Sequence, residues 1–125
     1  MEIRDCFRGS YGDHLKIIVS DPAKDPDNLL IVSVTTFREG KFHDPSCFLS
    51  PGDHPFIKHE SYIGFQFAKI RSNADLDRLL GSGGIILEDD QISEAVLERI
   101  HHGASVSEFI ALEYADLLRE QEFIE

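Results

Sequence analysis

A chain of 125 residues with a formal net charge of −11 is sized for one domain. A chain of this length buries roughly two-thirds of its unfolded surface when it folds, so its stability does not require a disulfide framework. With only Cys6 and Cys47, and no charged and apolar leader at its start, the sequence predicts a reduced, cytoplasmic protein. The longest apolar run, 29–32, is far shorter than the roughly 20 residues that span a bilayer.

The acidity is concentrated in the last third of the chain. Residues 1–87 contain 12 acidic and 10 basic residues, whereas residues 88–125 contain 11 acidic residues against Arg99 and Arg119. Broad electrostatic attraction to nucleic acid depends on clustered lysine and arginine, so this balance argues against it. A local basic groove in the first part is compatible with the sequence.

The first part of the chain alternates strand-like runs with connections that contain glycine and proline. Residues 1–10 are compatible with a first strand or an ordered arm. Strands are predicted for 14–20, 29–36, 46–50 and 61–70, and the second of these is predicted to be central because its first half is apolar on both faces. Strands without intervening helices predict antiparallel pairing in a small barrel or a half-open sheet.

From residue 71 the spacing of apolar residues becomes helical. A first helix is predicted after the capping residue Ser72 and ends at the glycine-rich run 81–84. A second is predicted after Asp90 and stops at Gly103, and a third opens with the capping-box spacing at 105–108.

These elements predict one α+β domain covering residues 1–125. Its β part is 1–70 and its helical part is 71–125. Within the helical part, 85–87 is a brief apolar strand or a buried connector.

The loop between the third and fourth predicted strands concentrates unusual polar chemistry. His54 and His59 flank Lys58, Asp53 is placed to orient a histidine, and prolines and a glycine predict fixed turns. RNA cleavage without a metal needs a base for the 2′-hydroxyl, an acid for the leaving 5′-oxygen and a cation near the phosphate. Histidine titrates near neutrality and serves in the first two roles. With His14 approaching from a neighbouring strand, these residues form a candidate acid/base site.

The same residues have other interpretations. Asp53 bonding turn amides and a solvated Lys58 would make the loop purely structural. His14, His54, His59 and Asp53 are also possible metal ligands, although no paired cysteines and no His-x-x-x-His spacing support a metal site, and no cofactor is predicted.

Two features of the helical part have simple interpretations. His101 and His102 end a predicted helix, where positive charge is favourable. The acidic residues of the last helix are interpreted as a solvated face. The alternative is that this helix lies across the polar face of the predicted barrel and imitates phosphate.

The segments 14–22 (HLKIIVSDP) and 31–36 (IVSVTT), with the closing strand 62–70, resemble the PemK/MazF-like growth-inhibitor toxins. That family has a strand ending in Ser-Pro and a later strand ending in Thr-Ser or Thr-Thr. The resemblance covers roughly residues 11–71. It implies a small antiparallel SH3-like β-barrel followed by helices, commonly a dimer, with ribonuclease activity on single-stranded RNA.

This chain departs from the family pattern at two places. His14 stands where the family has the arginine that opens the first of these strands, and Ile-Gly-Phe-Gln at 63–66 stands where it has the arginine and aspartate of its late strand. Thr36 matches a functional position of the family. The resemblance therefore implies either a chemistry rebuilt around His14 and the polar loop, or a loss of cleavage.

We therefore predict a cytoplasmic, toxin-related prokaryotic protein from a toxin–antitoxin or mobile-element setting, acting as an endoribonuclease. Its predicted partners are RNA, an antitoxin and a second copy of the chain. The alternative is a non-catalytic protein-interaction module on the same fold. The catalytic candidates are the three histidines His14, His54 and His59, and the substrate-binding candidates are Lys58, Arg38, Thr36 and Asp53.

Overall fold

The computed structural model describes residues 1–12 and 14–125. This part of the chain forms seven β-strands and three α-helices. The strands are β1 (Cys6–Gly9), β2 (Lys16–Ile18), β3 (Leu29–Thr36), β4 (Phe48–Leu49), β5 (Ser61–Ile63), β6 (Lys69–Arg71) and β7 (Ile85–Leu87), and the helices are α1 (Asn73–Ser82), α2 (Glu94–Val106) and α3 (Leu112–Glu120). The α+β class is confirmed, with most strands preceding the helices.

All seven strands join one antiparallel sheet with β3 at its centre. The order is β4-β5-β3-β2-β1-β7, and β6 pairs with β3 outside this path. One edge of β3 is paired with β2, while the other is shared between β5 and β6. The prediction that residues 29–36 form the central strand is confirmed.

The sheet is open. β4 and β7 lie at opposite ends of the strand order, and the described residues show no pairing between them. The sheet therefore does not close into the predicted barrel, and the half-open sheet is the alternative that is realised. Closure needs strands that are staggered and long enough to meet around the ring, whereas β4 has two residues and β7 has three. Short edge strands also limit pairing with other chains.

The predicted strand over 61–70 is interrupted. Val34 lies opposite Ile63 and Ile31 lies opposite Lys69, so three more residues separate the partners on the second strand than on β3. They are absorbed by a single 3-10 turn at Phe65–Phe67. The interruption puts Phe65 into the core at 1% exposure.

Alternate residues of the central strands face two separate hydrophobic cores. Leu30 and Val32 belong to the larger core, which is closed by residues of α2 and α3, whereas Leu29 and Ile31 belong to the smaller core beneath α1. Each fully buried Leu or Ile contributes about 1.5–3 kcal/mol relative to exposure. The apolar character of both faces of β3 follows from this position between helices.

Helix α1 forms as its local signals predict. The Ser72 hydroxyl caps the helix by accepting a hydrogen bond from the Asp75 amide at 3.1 Å. At the other end Gly83 adopts φ 81°, and its amide returns to carbonyls of the last turn. Start and stop are thus set by residues within the helix's own neighbourhood.

Helices α2 and α3 differ from their predicted bounds. Ser93 caps α2 by accepting from the Val96 amide at 3.1 Å, and the helix continues through Gly103 to Val106. Ser105 lies in the last turn of α2, so the predicted capping box does not open α3, which begins at Leu112. None of the helices in the described ranges is long and apolar enough to cross a membrane.

Both cysteines are free and buried, as the low cysteine count predicts. Burial raises the pKa of the Cys6 thiol to about 12 and that of the Cys47 thiol to about 11. Because the thiolate is the reactive form, both side chains act as small core hydrophobes at neutral pH.

His101 is a core residue, which corrects its interpretation as a favourable positive charge at a helix end. Its Nε2 donates a hydrogen bond to the Val19 carbonyl at 2.8 Å, and its ring stacks on Phe123 at a centroid distance of 4.3 Å. Burial lowers the pKa of His101, partly offset by the bond to Val19 and the charge of Glu98. The neutral ring is therefore the form that the fold stabilises.

His101 predicts a loss of stability on mild acidification. The pKa is lower in the folded chain than the roughly 6.5 of the unfolded one, so this contribution is complete above about pH 6.5 and is lost as pH falls below it. We expect the free energy of unfolding in urea to fall from pH 7.5 to pH 5.5 in the wild type. His101→Phe should weaken that dependence, whereas His102→Gln, at an exposed neighbour, should retain it. An unchanged dependence in His101→Phe would contradict the assignment.

Candidate functional site

A cleft of about 280 Å³ opens at the end of β3. The segment before β2 forms one wall, and the polar loop between β4 and β5 forms the other. The residues that line it are His14, Leu15, Val34, Thr35, Thr36, Arg38, Phe56, Ile57, Lys58, His59 and Ser61. Five of the seven sequence-predicted site residues are among them, namely His14, Thr36, Arg38, Lys58 and His59.

Strand pairing brings the polar loop to the end of β3. Thr36 lies opposite Ser61 in the β3–β5 ladder, and the Phe37 amide donates to the Glu60 carbonyl at 2.8 Å. The chain that enters β5 therefore runs beside the end of β3. This pairing carries residues 56–59 to the cleft wall.

The opposite wall is held by β3 as well. The Val34 amide donates to the Leu15 carbonyl at 2.9 Å, which extends the β2–β3 contact to the segment before β2. His14 lies on this segment, is exposed, and has its Nδ1 3.3 Å from the Val34 carbonyl oxygen. A carbonyl only accepts, so in this bond Nδ1 carries the proton, and the neutral ring has its lone pair on Nε2.

The loop itself is rigid in its first half, as its prolines and glycine predict. The Asp53 amide donates to the Ser50 carbonyl at 3.0 Å, the Ser50 amide donates to the Asp53 carboxylate at 2.8 Å, and Gly52 adopts φ 105°. Further on, Ile57 is 5% exposed and anchors the loop in the larger core. Lys58 and His59 follow directly after this anchor and are exposed.

His54 does not line the cleft. It is 3% exposed, its Nδ1 accepts the Phe56 amide at 3.0 Å, and its Nε2 lies 2.7 Å from the Asp90 carbonyl oxygen. Because the Phe56 amide must donate, Nδ1 is the acceptor and Nε2–H donates to Asp90. The Nε2 bond therefore holds the loop against the segment before α2, while the Nδ1 bond fixes the turn inside the loop. His54 is not among the residues that line the cleft with His14 and His59.

Asp53 also lies outside the cleft and binds helix α2. Its carboxylate accepts hydrogen bonds from Arg99 at 3.0 and 3.4 Å, and Arg99 donates in addition to the Phe48 carbonyl at 2.7 Å. Burial alone raises the pKa of Asp53, but the bonds from Arg99 and the Ser50 amide, with the charge of Arg99, outweigh it and lower that pKa below its usual value. The pair joins the loop to α2.

The cleft is locally basic in a strongly acidic chain. Among the described residues no Asp or Glu lines it, and none forms an ion pair with Arg38 or Lys58. No residue beyond Ser61 lines it either, so α3 does not lie across it. The alternative that the acidic helix imitates phosphate in this cleft is therefore wrong.

Aromatic and apolar side chains complete the cleft and its rim. Phe56 is half-buried in the cleft wall. Sequence reasoning missed Phe56, although its position beside Pro55 in the loop was a usable signal.

Residues that line the cleft supply hydroxyl, imidazole, ammonium and guanidinium groups. Across residues 1–12 and 14–125, no group of three or more His, Cys, Asp or Glu side chains is arranged to hold a metal ion. Comparisons with protein-family models, with curated proteins and with solved structures found no match for this chain. The chemistry of the cleft is therefore argued from its own residues.

Proposed function

We propose that the cleft at the end of β3 binds single-stranded RNA and cleaves it. The observation that carries the proposal is that one cleft is lined by the exposed His14 and His59 together with the cations Arg38 and Lys58, and that no Asp or Glu among the described residues lines it. These are the groups that a phosphodiester with an adjacent hydroxyl requires. His54 and Asp53 act as supports of the loop and take no part in the chemistry.

The two histidines have complementary roles in this mechanism. His14, with its lone pair on Nε2, removes the proton of the 2′-hydroxyl, and the 2′-oxygen attacks the adjacent phosphorus. The bond from phosphorus to the 5′-oxygen breaks, and protonated His59 donates its proton to that oxygen. The products are a 2′,3′-cyclic phosphate and a 5′-hydroxyl.

The remaining polar groups act on the phosphate. Lys58 and Arg38 place positive charge beside its oxygens, where negative charge grows during attack. Thr36 supplies a hydroxyl donor at the end of β3. The Phe56 ring offers a face on which a base stacks, which favours a single strand over a duplex.

This activity is consistent with a divergent relative of the PemK/MazF-like toxins in which the barrel has opened into a sheet. An antitoxin for such a protein would present acidic side chains to Arg38 and Lys58 and so compete with RNA. A homodimer and a toxin–antitoxin setting belong to the same proposal.

The proposal is tested with labelled single-stranded RNA and DNA of one sequence. We expect cleavage of the RNA alone, because DNA lacks the 2′-hydroxyl, with a cyclic phosphate at the new end. Lys58→Gln should weaken binding to all sequences and reduce the slope of log affinity against log salt by about 1. Lys41→Gln, an exposed lysine that does not line the cleft, should change neither. Cleavage of both strands, or equal effects of the two variants, would overturn the proposal.

A non-catalytic interaction module is the second candidate. It is favoured by exposed apolar residues away from the cleft: Phe42 is 60% exposed, Phe109 is 39% exposed and Leu112 is 72% exposed. The rings of Phe42 and Phe109 meet edge-on at 5.0 Å and form one patch. Contiguous apolar patches mark interaction surfaces. Absence of RNA cleavage by the wild type would favour this candidate.

A further inference from the structure

A second cavity, of about 180 Å³, lies between the sheet and helix α1. Its floor is part of the smaller core and includes Ile31, Leu76 and Ile85, which are at most 8% exposed. The ring of Phe67 at its side is 52% exposed. The cavity therefore has an apolar floor that remains open to solvent from one side.

The same cavity carries three cationic side chains, from Lys16, Lys69 and Arg71. These residues come from β2 and β6, which flank β3 on opposite edges, so the sheet assembles the set from distant parts of the chain. No Asp or Glu lines the cavity among the described residues. In a chain with a net charge of −11, three cations without an acidic lining residue are a marked local excess.

Arg71 has an acidic partner, whereas Lys16 and Lys69 form no ion pair with the described residues. Arg71 is paired with Asp75 at 2.8 Å. No ion pair with Lys16 or Lys69 is formed by the residues that the structure describes, and the Lys16 ammonium donates to the Ser33 hydroxyl at 2.6 Å. Burial lowers the pKa of Lys16, and the charge of Lys69 lowers it further. An anion between the two ammonium groups would oppose both effects, because a nearby negative charge favours the charged form of Lys16.

We propose that this cavity binds a small organic anion. Its charged head lies between Lys16 and Lys69, and its apolar body covers Ile31, Leu76 and Ile85. The cavity is smaller than the roughly 300–1,000 Å³ of drug-sized sites, so the ligand is short, of the size of an eight-carbon carboxylate or alkyl phosphate. The inference does not rest on the RNA activity, because the two cavities share no lining residue.

Nuclear magnetic resonance titration of the full chain tests the site. Sodium octanoate is expected to shift the backbone amide signals of Lys16, Ser33 and Lys69 with saturation. Octyl phosphate has the same eight-carbon tail and a phosphate head group. Comparing the two affinities shows which head group binds more tightly, and tighter binding of either one supports the proposal. Octan-1-ol, which has no charge, is expected to bind about tenfold more weakly or worse.

A charge-removing variant provides the matched comparison. Lys69→Gln, at an exposed position of β6, should weaken octanoate binding by about tenfold, whereas Lys41→Gln, outside the cavity, should leave it unchanged. Equal binding of octan-1-ol and octanoate, no shift at these amides, or equal effects of the two variants would overturn the proposal. So would an RNA oligonucleotide that shifts these amides when octanoate does not, since the cavity would then be part of an RNA path.

Discussion

Alanine in place of His59 is expected to slow RNA cleavage by about a hundredfold to ten-thousandfold, the usual contribution of general acid–base catalysis. The fold should be unaffected, because the side chain is exposed and the hydrogen bond at this residue uses its main-chain carbonyl, which accepts from the Ser61 hydroxyl at 2.8 Å. Single-turnover cleavage, with urea unfolding of the same preparation, measures both quantities.

The pH dependence of the rate separates the two histidine roles. An acid and a base together give a bell-shaped profile. His14→Ala should remove the limb that falls at low pH, because the base no longer has to lose a proton. His59→Ala should remove the limb that falls at high pH, because the acid no longer has to keep one. If His14→Ala instead removed the limb at high pH and His59→Ala removed the limb at low pH, His14 would be the acid and His59 the base.

His54→Ala is the control from the same loop. We expect its free energy of unfolding to fall by about 1–3 kcal/mol, because the Asp90 carbonyl and the Phe56 amide lose their buried partner. At temperatures where this variant is folded, its cleavage rate should equal that of the wild type. A slowing as large as that of His59→Ala in the folded variant would contradict the separation of His54 from the cleft.

Alanine in place of Gly103 is expected to destabilise the protein by about 1–3 kcal/mol, although alanine is the better helix former. A Cβ at this position of α2 would lie 2.7 Å from the Cβ of Cys47 and 3.0 Å from the carbonyl oxygen of Ser46. Neither atom is the end of a flexible side chain, so the backbone before β4 must move. Urea unfolding at neutral pH measures the change.

Gly81→Ala is the matched control in helix α1. A Cβ at Gly81 would meet no atom within 4 Å, so the substitution should show the helix propensity alone and stabilise by about 0.5–1 kcal/mol. Opposite signs at the two helical glycines are therefore expected. Stabilisation of equal size at both positions would show that α2 does not approach the segment before β4 as closely as described.

Features set by neighbouring residues could be predicted from the sequence. Ser72 and Gly83 bound α1 through contacts within the helix and its ends, and residues 29–32 are apolar on both faces because both faces are covered. The end of α2 could not be predicted from neighbouring residues. Gly103 is a local signal for a helix to stop, but close packing against Cys47 overrides it and the helix continues. The strand pattern also did not decide between a barrel and an open sheet, because closure depends on whether the edge strands meet.

The site was predictable in composition and only partly in geometry. His54 and His59 lie in one loop and look alike in sequence, yet Asp90, 36 positions later, holds His54 inward. No local pattern reveals that contact. Lys16 and Lys69 were missed as a pair because only the pairing of β2 and β6 with β3 brings them to one cavity.

The position of β1 has a consequence for synthesis of the chain on the ribosome. β1 is paired on one side with β2, which follows it closely, and on the other side with β7, at Ile85–Leu87. A nascent chain therefore exposes one unpaired edge of β1 until Ile85–Leu87 has emerged. Chains released before Ile85 keep that edge open, and an unpaired strand edge makes an incomplete chain prone to aggregate.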